Sequence, residues 1–120
     1  LGVDKHKWRW HDKLIIKDNY GEYYFCHNMS KDPVKSSMSI GMNFVQGHYH
    51  TEFRIGYWSS PEHLRWGMNV GCLIDKDSLA FAYSKVNIRR PVLGCGIIIN
   101  GVPQLIPMIL KRGNRWNKQI

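Results

Sequence analysis

Acidic residues are missing from the last third of this chain: all nine Asp and Glu lie in residues 1–77, and none follows from Ser78 to Ile120. Seven Lys and Arg fill that stretch, whereas residues 1–77 hold ten and balance to +1 of the formal +8. A basic segment of this kind attracts phosphate-bearing partners, or simply keeps a surface soluble. Cysteine is scarce. Cys26, Cys72 and Cys95 are widely spaced, odd in number and form no CxxC pair, so neither a zinc ribbon nor a disulfide framework is indicated. Reduced thiols in a cytoplasmic protein are the expectation. Long apolar runs are lacking as well: residues 92–99 are interrupted by glycine and fall far short of the ~20 residues a membrane helix needs. The charged opening Asp4-Lys5-His6-Lys7 does not match a cleavable leader. Leu1 stands where an initiator Met would, so a trimmed or incomplete polypeptide is expected. No internal repeat or low-complexity segment occurs.

What is present fits one domain. The chain has 120 residues with 43% hydrophobic and 22% charged content, enough for a real core but not for two. Residues 13–17 and 22–26 are rich in β-formers and flank the turn Asp18-Asn19-Tyr20-Gly21, which predicts a β-hairpin. Residues 30–41 predict a short helix with Asp32 as cap, Pro33 at its first position, Val34 and Met38 on one face, and Gly41 as stop. Residues 42–46 read as a buried strand, 53–58 as another, and 66–73 as a strand interrupted at Gly67 and Gly71. Residues 77–86 fit either helix or strand. Residues 92–99 and 102–110 form a second hairpin about Asn100-Gly101, with Pro103 and Pro107 placing its last strand at a sheet edge.

The chemistry lies with the histidines. His27 follows one predicted strand directly. His48 and His50 sit in Gly47-His48-Tyr49-His50, just after another. Side chains at the carboxyl ends of neighbouring strands converge on one crevice. In an extended segment the rings of His48 and His50 point the same way; a bend at Gly47 would instead aim them at two different cations. His6, His11 and His63 read as ordinary surface residues.

A strand ending in Gly-His-x-His, preceded by a strand ending in a lone histidine, resembles the last two motifs of the calcineurin-like metallophosphoesterases. The wider stretch resembles the bacteriophage-encoded members: Phe44-Val45-Gln46-Gly47-His48-Tyr49-His50, Arg65-Trp66-Gly67-Met68-Asn69-Val70-Gly71-Cys72-Leu73, Leu93-Gly94-Cys95-Gly96 and Asn100-Gly101-Val102-Pro103. The resemblance covers nearly the whole chain. It implies the C-terminal part of an α/β/β/α sandwich, an α/β and β-rich fold, with residues 1–120 as one portion of a single phosphoesterase domain; residues 111–120, by their own polar and basic composition, are expected to be a disordered tail. It also implies two divalent ions (Mn²⁺, Fe or Zn²⁺), His27 and His48 on the second and His50 on the first. Asn28, Tyr49 and Trp58 are the candidate substrate contacts; Asn28, Glu52 and Asn69 are candidate acceptors for the far ring nitrogens of the ligands. The family's earlier motifs, Asp-x-His, Gly-Asp-x-x-Asp and Gly-Asn-His, are expected upstream of Leu1. Asp4-Lys5-His6 imitates the first of them, but no strand leads into it and His27 follows too soon.

The activity implied is metal-dependent hydrolysis of a phosphomonoester or phosphodiester by the full-length protein, the isolated chain being inactive. The substrate would be a nucleotide, a nucleic acid or another phosphate ester, in the host cytoplasm if the gene is a phage's. Two readings of other classes stand beside it. One is a small basic nucleic-acid-binding protein without catalysis. The other is a structural zinc site on the same three histidines, for which a fourth ligand is not evident.

Overall fold

Asp18 makes the first turn by itself. Its Oδ1 accepts the N–H of Tyr20 at 2.7 Å and of Gly21 at 2.9 Å, and the Tyr23 hydroxyl at 3.1 Å. The computed structural model describes residues 7–74 and 90–110. Within them the turn joins β1 (Lys13–Asp18) to β2 (Gly21–Cys26) as an antiparallel pair, with Lys13 opposite Cys26. The readings made for residues 1–6, 77–86 and 111–120, including His6 and the basic tail, lie outside the described residues.

The chain leaves β2 through a short loop and enters α1 (Pro33–Ile40). Asp32 caps it by accepting from Val34 N–H at 3.0 Å and Lys35 N–H at 3.4 Å. Gly41, at φ 66°, ends it with a bond from its N–H to the Ser37 carbonyl. Caps and boundaries match the expectation. The buried face does not. Met38 is 55% exposed, and the residues turned inward are Pro33, Ser36 and Ser37. The cause is proximity: a Cβ on Gly67 would run into the Pro33 backbone, and one on Gly56 into the Val34 side chain. At that separation only small helix side chains fit over Gly56 and Gly67.

Five strands make the sheet, in the order β1-β2-β3-β5-β4, with β3 spanning Asn43–Gln46, β4 Phe53–Ser59 and β5 Leu64–Val70. β2, β3 and β5 run parallel, and β1 and β4 are antiparallel edges. β5 begins two residues earlier than expected because Ser60 and His63 close a tight turn with β4. It stops at Val70 because Gly71 takes φ 68°, leaving Cys72 in an isolated bridge to Leu93. β6 (Gly94–Ile99) and β7 (Val102–Pro107) form a separate hairpin about Asn100 (φ 49°) and Gly101 (φ 81°). Among the described residues β7 pairs with β6 alone, which places the proline-bearing strand at an edge, as expected.

The hairpin covers the sheet face opposite the helix, over β4 and β5. Between these layers lie Tyr23, Val45, Trp66 and Met68, with Phe25, Ile55, Val70, Ile98 and Leu105 packed around them. The Trp66 indole N–H donates to the Gly101 carbonyl at 3.0 Å, pinning hairpin to sheet. Phe44 fills the helix side and is fully buried. β1 is exposed along its whole length, including Leu14, Ile15 and Ile16, and presents an open, apolar edge. Among the described residues no helix is long and apolar enough to cross a membrane.

Gly67→Ala is expected to lower the unfolding free energy by about 1–3 kcal/mol, because the added methyl must push the helix off the sheet. Gly47→Ala serves as the comparison: its Cβ would meet Val70 Cγ2 at 3.7 Å, an ordinary contact worth no more than about 0.5 kcal/mol either way. Urea unfolding reads both, and equal midpoints for the two variants would contradict this packing.

Candidate metal centre

Three parallel strands end at one edge of the sheet. Their registers pair Cys26 with Gln46 and Gln46 with Asn69, so the segments that follow β2 and β3 leave the sheet side by side. His48 N–H donates to the His27 carbonyl at 3.0 Å, extending the pairing one step past the strands. The side chains meet as well. His48 Nδ1 lies 3.0 Å from His27 Nε2, with ring centroids 4.9 Å apart and planes at 82°. Both rings are exposed.

His50 does not join them in one cluster. Its carbonyl accepts Val92 N–H at 2.8 Å, and its residue lies in the turn closed by Glu52 N–H on the Tyr49 carbonyl at 2.8 Å. Among the described residues no three His, Cys, Asp or Glu side chains are grouped to hold a metal. Gly47 contributes less than expected, since it has no positive φ and no crowding at its Cα. The bend falls in the turn after Tyr49 instead.

A buried amide pair holds the loop that carries His27. Gln46 is 1% exposed and Asn69 is 1% exposed. Gln46 Nε2 donates to Asn69 Oδ1 at 2.7 Å and to the Ser30 carbonyl, while its Oε1 accepts Met29 N–H at 3.1 Å. Asn69 Nδ2 donates to the Lys31 carbonyl at 3.0 Å. Residues 29–31 are thus bonded at three successive positions to side chains from β3 and β5. Asn69 is committed to this network and is not the acceptor behind a histidine. Glu52 sits 3.3 Å from Lys31 Nζ and 3.6 Å from Arg54 Nε, which ties the following turn to the same loop.

The candidate substrate contacts divide. Asn28 lines, with His27, an open groove of about 580 Å³ whose lining also includes Phe25, Val45, Val70, His11 and Asp12. Tyr49 packs edge-on against His48, centroids 5.1 Å apart. Trp58 is elsewhere. It lies opposite Arg65 in the β4–β5 pair, four strand positions or roughly 13 Å from the level of Asn69, and its indole donates to Ser37 Oγ at 2.8 Å. It serves the helix contact. Cys26 lines the groove too, but burial pushes its thiol up, against a smaller opposing pull from the Asn28 backbone, so it stays protonated at neutral pH.

Comparison of the chain with protein-family models, curated proteins and solved structures found no match.

Gln46→Leu removes the donor and acceptor together, leaving Met29 N–H, the Ser30 carbonyl and Asn69 Oδ1 unpaired. A loss of about 1–3 kcal/mol is expected, with faster hydrogen exchange at the Met29 amide than at amides in β1–β2. Unchanged exchange at Met29 would show that the loop is held by something else.

Proposed function

We propose that this chain is the carboxyl-terminal part of a calcineurin-like metallophosphoesterase domain, and that the full-length protein hydrolyses phosphomonoesters or phosphodiesters. The observation that carries the reading is the 3.0 Å approach of His27 Nε2 to His48 Nδ1. Two imidazole nitrogens bound at about 2.0–2.1 Å to one cation stand about 2.8–3.0 Å apart at adjacent octahedral positions and about 3.3–3.4 Å apart in tetrahedral geometry. The pair therefore has the spacing of two ligands on a shared metal, and these are the two histidines that the resemblance assigns to one ion. His50 would then serve the other. The α/β layering of helix, mixed sheet and hairpin is compatible with part of an α/β/β/α sandwich.

Two divalent ions, Mn²⁺, Fe or Zn²⁺, would supply the charge that activates water and offsets the developing negative charge on the ester oxygens. The chain's own part is to hold neutral donors in place. Imidazoles ligate without cancelling the positive charge of the site. In the contact seen here one ring nitrogen must carry a proton for the other to accept, so turning both lone pairs to a cation requires the donor ring to carry its proton on the far nitrogen instead. Asn28 and Tyr49 flank the pair and are the groups that would meet the ester. The bridging carboxylate, the asparagine ligand and the leaving-group acid belong, on this reading, to sequence outside residues 1–120.

The test pairs activity with binding. A polypeptide carrying this chain together with its upstream ligands is expected to cleave bis(p-nitrophenyl) phosphate with Mn²⁺, and His48→Ala should lower that rate by at least about 100-fold. The 120-residue chain alone is expected to bind Mn²⁺ weakly and to show no turnover. Steeply salt-dependent nucleic-acid binding that is indifferent to Mn²⁺ and to chelator, with no cleavage by the longer polypeptide, would replace this reading with a non-catalytic binding protein.

A further inference from the structure

The amino ends of the parallel strands, at the edge opposite the histidines, enclose a second groove. It measures about 360 Å³ and is lined by Tyr20, Gly21 and Glu22 from the first turn, Asn43 at the start of β3, and His63, Leu64 and Arg65 at the start of β5. Three features of it are not explained by the fold.

Asn43 is the first. It is 8% exposed, and its Oδ1 accepts Trp66 N–H at 3.2 Å. That bond fixes the amide orientation, because a backbone N–H cannot bond to the NH₂ end. The Nδ2 end therefore points the other way, toward Gly21, where it lies 3.1 Å from the place a Cβ would occupy. Among the described residues no acceptor meets it. A nine-tenths buried amide donor is left open to the groove, and a side chain at position 21 would obstruct it.

Arg65 is the second. It is half-buried, and among the described residues no carboxylate lies within ion-pair distance. Arg54, by contrast, sits 3.6 Å from Glu52 and 3.8 Å from Asp32. Leaving a half-buried guanidinium unpaired forfeits its strongest hydrogen bonds.

The charge balance is the third. Glu22 is the acid on the groove wall, and it is already bound to Lys17 Nζ at 2.5 Å. That bond is the main cause holding its carboxyl below the usual range, with Arg65 and His63 adding smaller pulls from across the groove. His63 has Glu62 at 3.8 Å on its Nε2 side. Arg65 thus faces Glu22 only at long range, with no carboxylate at ion-pair distance among the described residues.

We propose that this groove binds a small oxyanion, a phosphoryl or carboxylate group, held by the Arg65 guanidinium and the Asn43 Nδ2 donor with His63 at the rim. Both residues line the groove, and a planar fork of N–H donors together with a neutral amide donor suits the oxygens of one anion. The site is independent of the histidine pair, since Arg65 lies four positions before Asn69 on β5 and so roughly 13 Å away along the strand.

The test is a titration of the ¹⁵N-labelled chain with inorganic phosphate in one arm and sodium acetate in the other, at constant ionic strength. Saturable shifts of the Arg65 Nε–H and Asn43 Nδ2–H₂ signals are expected in at least one arm, and the arm that saturates at lower concentration names the anion. Arg65→Gln should weaken that binding on the order of tenfold while the amide spectrum keeps its dispersion. Gly21→Ala, which crowds the Asn43 donor, should weaken it too. Shifts that never saturate in either arm, or saturate identically in Arg65→Gln, or appear at His27 and His48 while Asn43 stays still, would each overturn the proposal.

Discussion

The Gln46–Asn69 bond governs what the carboxyl edge of this sheet can do. Two amide side chains buried to 1% exposure would destabilise the core if left unpaired. Here each finds its backbone partners, among the described residues, in the loop after β2. The same bonds that make the amides tolerable inside the domain therefore fix residues 29–31. His27 is the first of the two residues between β2 and this anchored stretch, and His48 is two residues beyond Gln46 itself. The contact between their rings follows from bonds made beneath them.

The two faces of the sheet divide the remaining work. On the hairpin side, Tyr23, Val45, Trp66 and Met68 form an apolar layer, and Trp66 reaches across it to the Gly101 carbonyl. On the helix side Phe44 is fully buried, and the closest helix–strand contact is made with small groups. Glycines at 56 and 67 let α1 approach until Pro33 and Val34 touch the strands, and serines 36 and 37 fill the gap. Close approach draws the helix start, with its Asp32 cap and the preceding loop, over the ends of β3 and β5. The scaffold that orients His27 thus depends on the absence of side chains at two positions.

Local signals made much of this readable beforehand. Asp32-Pro33 and Gly41 bracket the helix because capping is decided by a few adjacent residues, and Asn100-Gly101 names its turn for the same reason. The pairing of His27 with His48 was accessible through strand ends and through the resemblance. Other features depend on contacts distant in sequence. Serines 36 and 37 look like a solvent face until Gly67 is placed beneath Pro33. Gln46 looks like a strand terminus until Asn69 lies beside it. Trp58 looked available to a substrate, yet the antiparallel register of β4 carries it to the far end, against Ser37. Gly47 looked like the hinge of the histidine motif, and the backbone does not use it so. Asn43 and Arg65 carried no motif at all; only the convergence of three strand starts brings them to one groove.

Diffraction from crystals of the chain soaked in Mn²⁺, with anomalous data, addresses the central claim most directly. The account predicts an anomalous peak about 2.1 Å from both His27 Nε2 and His48 Nδ1, with the Gln46–Asn69 bond intact beneath. A cation bound to either ring alone, or bound elsewhere while the two rings keep their 3.0 Å hydrogen bond, would contradict it.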